Sequence, residues 1–256
     1  MKAEKMLAVS AALVLSLFSV VFVAQRAFSQ KRELPIKGNG FAVLELFTSE
    51  GCSSCPSADE LLARVQQEAG DKPIYVLGYH VDYWNHQGWK DVFSNPMYSK
   101  RQYAYSGKLG SQVYTPQLVV NGQTECIGSD EVAVNSRIKQ ALARSPLASL
   151  QLKGSLTGGK LKLEFEAGNV TGDGQLLIVV VQKHATSRVE RGENSGRTLS
   201  HAQIVRDLKT FDIRSGKPGS EEIVPPAGFN TKDWEIIGMI QDRESGVIEA
   251  AIRATI

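Results

Sequence analysis

Phe41-Ala-Val-Leu-Glu-Leu-Phe-Thr-Ser-Glu-Gly-Cys-Ser-Ser-Cys-Pro56 is the stretch that decides how this chain is read. Residues 41–47 are a short, mostly apolar run, as expected of a buried central strand in a parallel sheet. Residues 48–56 read as a loop that carries Gly51 and the pair Cys52 and Cys55. A helix is expected over residues 56–69, where Ala58, Leu61, Leu62, Val65 and Ala69 recur at helical spacing. Pro56 suits a first helical turn and Gly70 suits the end. Residues 74–80 form a second apolar run. Strand, helix and strand in this order spell a parallel βαβ unit with a right-handed crossover.

The two cysteines sit at the mouth of the strand-to-helix loop. Two intervening residues at a helix start bring both sulfurs within reach of a small disulfide ring. The helix N-terminus carries a partial positive charge that stabilises a thiolate, and the pKa in such motifs falls to roughly 3.5–7.5. A thiolate there attacks a substrate disulfide, and the second cysteine resolves the mixed disulfide. A lone CxxC is also half of a zinc site. No second CxxC exists in the chain, and no His pair has zinc spacing. A fixed structural disulfide is the other reading.

Upstream, Lys2 and Lys5 precede an apolar run over residues 7–24, followed by the small-x-small site Ala27-Phe-Ser29. This is the pattern of a secretory signal peptide over residues 1–29, with residues 30–40 as a polar linker. Without cleavage the run would be a membrane anchor, at the lower edge of spanning length. Cleavage is the favoured reading, and either way a periplasmic or secreted location is expected. Cleavage removes Lys2, Lys5 and Arg26 against Glu4, so the net charge falls from +2 to zero. A neutral chain has no electrostatic case for nucleic-acid binding. In an oxidising compartment cysteines tend to pair, and with three here, at 52, 55 and 126, one is left over or the pairing is dynamic.

Downstream, an aromatic-rich segment covers residues 83–105, with Asn95-Pro96 as a helix cap and first turn. Residues 117–120 and 123–127 read as two strands joined by an Asn121-Gly122 two-residue turn. In that register Cys126 faces Gln117, beside Pro116. It is then either a third redox thiol or a small buried hydrophobe. A last helix is expected over residues 130–143, with Val132, Val134, Ile138 and Leu142 as apolar positions. Beyond Ser145-Pro146 the apolar period changes to two, across a Gly158-Gly159 turn. Further strands at residues 176–181, 236–240 and 247–252 complete a β-sandwich of about 100 residues. The expected fold is thus an α/β domain over residues 41–146 followed by an all-β sandwich-like domain over residues 147–256.

The residues Phe47-Thr-Ser-Glu-Gly-Cys-Ser-Ser-Cys-Pro56, Tyr79-His-Val-Asp-Tyr-Trp84, Thr115-Pro-Gln117 and Gly128-Ser-Asp130 resemble the predicted secreted, thioredoxin-like family catalogued as domain of unknown function 1223. The resemblance implies a thioredoxin-like first domain. It implies Cys52 as exposed nucleophile, Cys55 as buried resolving thiol, and Pro116, after Thr115, as a cis-proline beside the pair. It makes Glu45 a buried acid that can relay a proton to Cys55; the other reading of Glu45 is a half-exposed acid paired with a lysine. The chain departs from the thioredoxin motif in having Gly51 before the first cysteine and two serines between them.

His80, Asp82 and His86 could suggest a metal site, but structural hydrogen bonding is the preferred role, and no metal or cofactor is expected. The aromatics of residues 83–105 are either core or a substrate-binding surface. The polar stretch over residues 191–197, with His201, reads as a long loop between sandwich strands. The function expected is thiol–disulfide exchange with exported proteins or small thiols. The alternative is a non-catalytic exported binding module, for a metal or a protein partner, that keeps CxxC as a static bridge.

Overall fold

The computed structural model describes residues 39–256. The signal-peptide and most of the linker readings lie outside the described residues. Strand β1 (Ala42–Thr48) leads through the cysteine loop into helix α1 (Cys55–Ala69) and strand β2 (Ile74–His80). Strands β1 and β2 pair in parallel, from Ala42 opposite Ile74 to Thr48 opposite His80. Helix α1 buries Ala58, Leu61, Leu62, Val65 and Ala69, the positions its periodicity picks out. Each fully buried leucine contributes about 1.5–3 kcal/mol.

Helix α2 (Pro96–Leu109) is capped by Asn95, whose Oδ1 accepts from the Met97 N–H at 2.9 Å. Strands β3 (Gln117–Val120) and β4 (Thr124–Ile127) follow, then helix α3 (Glu131–Leu142). Its cap is Asp130, which accepts from the Ala133 N–H at 3.0 Å. Val134, Ile138 and Leu142 of α3 are buried, whereas Val132 is 82% exposed and belongs to the solvent face. The β3–β4 register also differs from the expected one. Val120 pairs with Thr124 and Leu118 with Cys126. The turn has three residues, Asn121, Gly122 and Gln123, with Asn121 and Gly122 at φ 50° and 64°. One extra loop residue moves every partner by one, so Cys126 no longer faces Gln117.

The remaining strands are β5 (Ser149–Thr157), β6 (Lys160–Gly168), β7 (Gly174–Arg188), β8 (Thr198–Asp212), β9 (Pro218–Ile223), β10 (Trp234–Asp242) and β11 (Ile248–Arg253). Their pairing overturns the expectation of a thioredoxin-like α/β domain followed by a separate sandwich. The described residues are predominantly β, 42% strand against 20% helix. Strands from both halves join one mixed eight-stranded sheet, in the order β11-β10-β7-β8-β2-β1-β3-β4. The described residues fall in one compact unit. The joint is a parallel pairing of Gly78 in β2 with Ile204 in β8. A Cβ on Gly78 would lie 3.4 Å from the Gln203 carbonyl oxygen, so the absent side chain admits the second half of the sheet.

On one face of this sheet, α2 and its tyrosines close a core of Val43, Phe47, Leu77, Tyr79, Tyr98, Tyr105, Val179 and Met239. On the other, β7 and β10 pack through Leu176, Ile178, Val180 and Ile236 against Leu150, Leu163 and Phe165 of the three-stranded sheet β5-β6-β9. Among the described residues no helix is long and apolar enough to cross a membrane.

Candidate functional site

Cys52 and Cys55 are joined in a disulfide, with their Cα atoms 5.5 Å apart. Cys55 is the first residue of α1 and Pro56 the second, so the ring is built into the start of the helix. Ser54, at the N-cap, makes no side-chain capping bond. Both cysteines are buried: Cys52 is 1% exposed and Cys55 0%. The expectation of an exposed Cys52 is therefore corrected.

The cover is the tip of the β7–β8 hairpin, residues 189–197. Asn194, fully buried, donates its side-chain amide to the carbonyls of Glu50 and Cys52, both at 2.9 Å. Arg197 holds the other end of that side chain, donating to Asn194 Oδ1 at 2.7 Å. Glu193 Oε2 accepts from the Ser53 N–H at 2.9 Å. A carboxylate thus meets an unpaired amide at the positive end of α1.

Beneath the cysteine loop lies a set of ionisable side chains. Glu50 is fully buried, and its carboxylate accepts from Trp89 Nε1 at 2.7 Å and from the Ser187 hydroxyl. His201 of β8 places Nε2 3.3 Å from Glu50 Oε1 and Nδ1 3.6 Å from Asp59 Oδ2. Asp59 is one helical turn along α1 from Cys55, on the same helix face. Burial works against a charge on His201, but the Asp59 and Glu50 carboxylates outweigh it and push the imidazole up to about 9. A second pair stands behind the first. His80 Nδ1 lies 2.7 Å from Asp91 Oδ2, and the same oxygen accepts from the Glu50 N–H at 2.9 Å. Burial pushes the Asp91 carboxyl up, yet His80 and two backbone N–H groups bring it below its usual range. The His80 and His201 rings meet edge to face, 4.9 Å between centroids.

The Thr115–Pro116 peptide bond is cis. Thr115 Oγ1 accepts from Trp84 Nε1 at 2.9 Å, and the Trp84 Cβ in turn lies against Gly51, where an added Cβ would be 3.2 Å away. This tryptophan therefore connects the Thr115–Pro116 segment to the cysteine loop. Glu45 is buried, as the first of its two readings has it, and its partner is an arginine instead of the lysine of the second. It is 0% exposed and receives two bonds from Arg101, Nε to Oε1 at 2.7 Å and Nη2 to Oε2 at 3.1 Å, with the Tyr105 hydroxyl as a third partner. Side chains alternate along β1, so Glu45 shares the α2 face with Val43 and Phe47, while Leu46 turns towards Ala58 of α1 and Pro116. Glu45 ties α2 to the sheet and lies across it from helix α1.

A family model described as protein of unknown function (DUF1223) matches residues 43–241. The chain belongs to the DUF1223 family. The match runs from β1 into β10, and so includes the disulfide, its cover and the His201 cluster. The DUF1223 chain is similar to a crystal structure of a protein from Agrobacterium tumefaciens. The identity is 28% over 84% of this chain and 93% of that one, with a TM-score of 0.65. A domain of the outer membrane lipoprotein Omp28 from Porphyromonas gingivalis aligns over 44% of this chain and 90% of that one, at 10% identity and a TM-score of 0.30. No curated protein matches the chain.

The DUF1223 site gathers residues that sequence reasoning left out, namely Glu50, Asp59, Asp91 and Asn194. It also moves His201 from a loop into strand β8. The one available signal was the length of the polar stretch before His201. The candidate metal residues do not converge. His80 binds Asp91, Asp82 accepts from the Ser99 hydroxyl at 2.5 Å, and His86 is exposed. Among the described residues no group of three or more His, Cys, Asp or Glu side chains is arranged to hold a metal ion. Cys126 is a half-buried free thiol on β4. Of the aromatics, Tyr98 and Tyr105 are core, while Tyr103 is exposed beside Tyr83.

Proposed function

We propose that this chain is an exported thiol–disulfide oxidoreductase that exchanges disulfides with exported proteins or small thiols through Cys52 and Cys55. The observation that carries the reading is the company of the disulfide. A ring closed over four residues at a helix start stands near buried Glu50 and His201 and half-buried Asp59. Burying charged groups costs several kcal/mol each before pairing, so a bridge kept for stability alone has no use for them. Exchange chemistry does, because protons move whenever the ring opens or closes. In this reading the helix N-terminus favours a thiolate on Cys52, and Cys55 resolves the mixed disulfide. The reading rests on the site and not on a thioredoxin fold. Export rests on the N-terminal basic and apolar pattern.

One observation favours the second reading, a static bridge in a non-catalytic binding module: Cys52 is covered by the hairpin tip. A redox titration separates the two. A reduction potential below about −300 mV fits a structural bridge, and a higher one fits exchange. Cys55→Ser should then trap exported partners as mixed disulfides on Cys52. A chain that traps none and resists reduction would end the exchange reading.

A further inference from the structure

We propose that Glu50, Asp59 and His201 form the proton reservoir of the Cys52–Cys55 pair, with His201 as its proton-holding and positioning residue; this rests on the exchange reading above. Three separate elements bring the group together: the cysteine loop supplies Glu50, α1 supplies Asp59 and β8 supplies His201. His201 is 3% exposed, yet neither ring nitrogen has a hydrogen-bond partner among the described residues. The carboxylates stand at 3.3 and 3.6 Å, close enough to share a proton without clamping the ring. A buried histidine kept for structure is normally tied down, as His80 is by Asp91 at 2.7 Å. The charged groups facing His201 are Glu50, Asp59 and the His80–Asp91 pair, with Arg206 beyond the Phe93 ring. Carboxylates at both ring nitrogens keep a proton on the imidazole through neutral pH.

The chemistry needs such a store. When a substrate dithiol reduces the ring, its thiolate bonds to Cys52 Sγ and the Cys52–Cys55 bond breaks. The electron pair stays on Cys55 Sγ. That residue is fully buried, so an uncompensated thiolate there is costly, and the reservoir supplies a proton. The second substrate thiol returns a proton to the imidazole. Its sulfur then attacks the substrate sulfur of the mixed disulfide, and Cys52 leaves as a thiolate. Two electrons and one proton have passed from the substrate, and the reservoir is charged again.

The test is the thiolate absorbance of the reduced protein followed across pH. His201→Gln leaves the Glu50 and Asp59 carboxylates without the cation between them, and the thiolate fraction at neutral pH should fall about tenfold. Asp59→Asn should raise it. Folded variants that both titrate like the wild type would overturn the proposal. A second measurement needs no variant. The His201 imidazole is titrated by NMR in the oxidised and the reduced wild type, among only four histidines. Coupling is reciprocal, so its midpoint should move by about one unit between the two states. An identical midpoint would overturn the proposal. Neither readout requires turnover, so failure of exchange appears in the redox titration and failure of the reservoir in these curves.

Discussion

Asn194 donates its side-chain amide to the backbone carbonyl of Cys52 at 2.9 Å, across 142 positions of sequence. The same amide group reaches the carbonyl of Glu50, so one side chain latches the β7–β8 hairpin over the disulfide loop.

Removing that latch should open the site. Each intramolecular hydrogen bond contributes about 0.5–1.5 kcal/mol. Losing both favours the open hairpin by about 2 kcal/mol, or roughly thirtyfold. Asn194→Ala should therefore be reduced faster by a bulky dithiol, with a smaller gain for a small one. Rates that match the wild type for reductants of both sizes would mean that the hairpin is no lid.

Stability should fall on the alkaline side. His201 titrates at about 9 in the folded chain, above its ordinary 6.5. Its contribution is thus complete below about pH 6.5 and is lost as pH rises towards 9, on the order of 3 kcal/mol in all. Asp91 acts at the other end. Its folded pKa is lowered, so its contribution is present above the ordinary carboxyl range and is lost on acidification through it. Urea midpoints measured from pH 3 to 10 should trace both limbs, and Asp59→Asn should flatten the alkaline one. A wild-type profile level from pH 6 to 9 would contradict the assignment.

Glu45→Ala leaves Arg101 buried without its carboxylate. Breaking one partner of a buried pair costs about 3–5 kcal/mol, and urea unfolding should register a loss of that size. The thiolate titration of the folded reduced variant should stay where it is, because Glu45 lies on the α2 face of the sheet. A shift there would return Glu45 to the redox site.

Cys126 should be a bystander. Burial pushes its thiol up to about 11; Arg137 works against this, while Glu125 and Asp130 add to it. At pH 8 it should alkylate far more slowly than a free thiol. Cys126→Ala should leave the reduction potential of Cys52–Cys55 unchanged.

The local features of the fold were legible because they are written in neighbouring residues. The apolar run of β1, the periodic face of α1 and the Asn95-Pro96 cap each depend on a few adjacent side chains. The two-residue hairpin was misjudged because Asn121 and Gly122 both take positive φ, yet Gln123 joins them in the turn, with its N–H bonded to Val120. The separate second domain failed for a longer-range reason. Alternation along β7 and β8 says which face is apolar but not which strand lies beside them, and Gly78 looks like any strand glycine until β8 arrives. The site was half legible for the same cause. Cys52 and Cys55 lie three positions apart in sequence, whereas Glu50, Asp59 and His201 acquire meaning only when three elements converge.

The joint between Gly78 and Ile204 bears on how such a chain can be rearranged. A segment cut at residue 146 would carry the cysteines but leave one edge of β2 bare. It would strip β8 and β10 from the tyrosine-lined core and discard both Asn194 and His201. The CxxC region is thus not a portable cassette, and recombination that preserves the surroundings of the disulfide has to move residues 42–253 together.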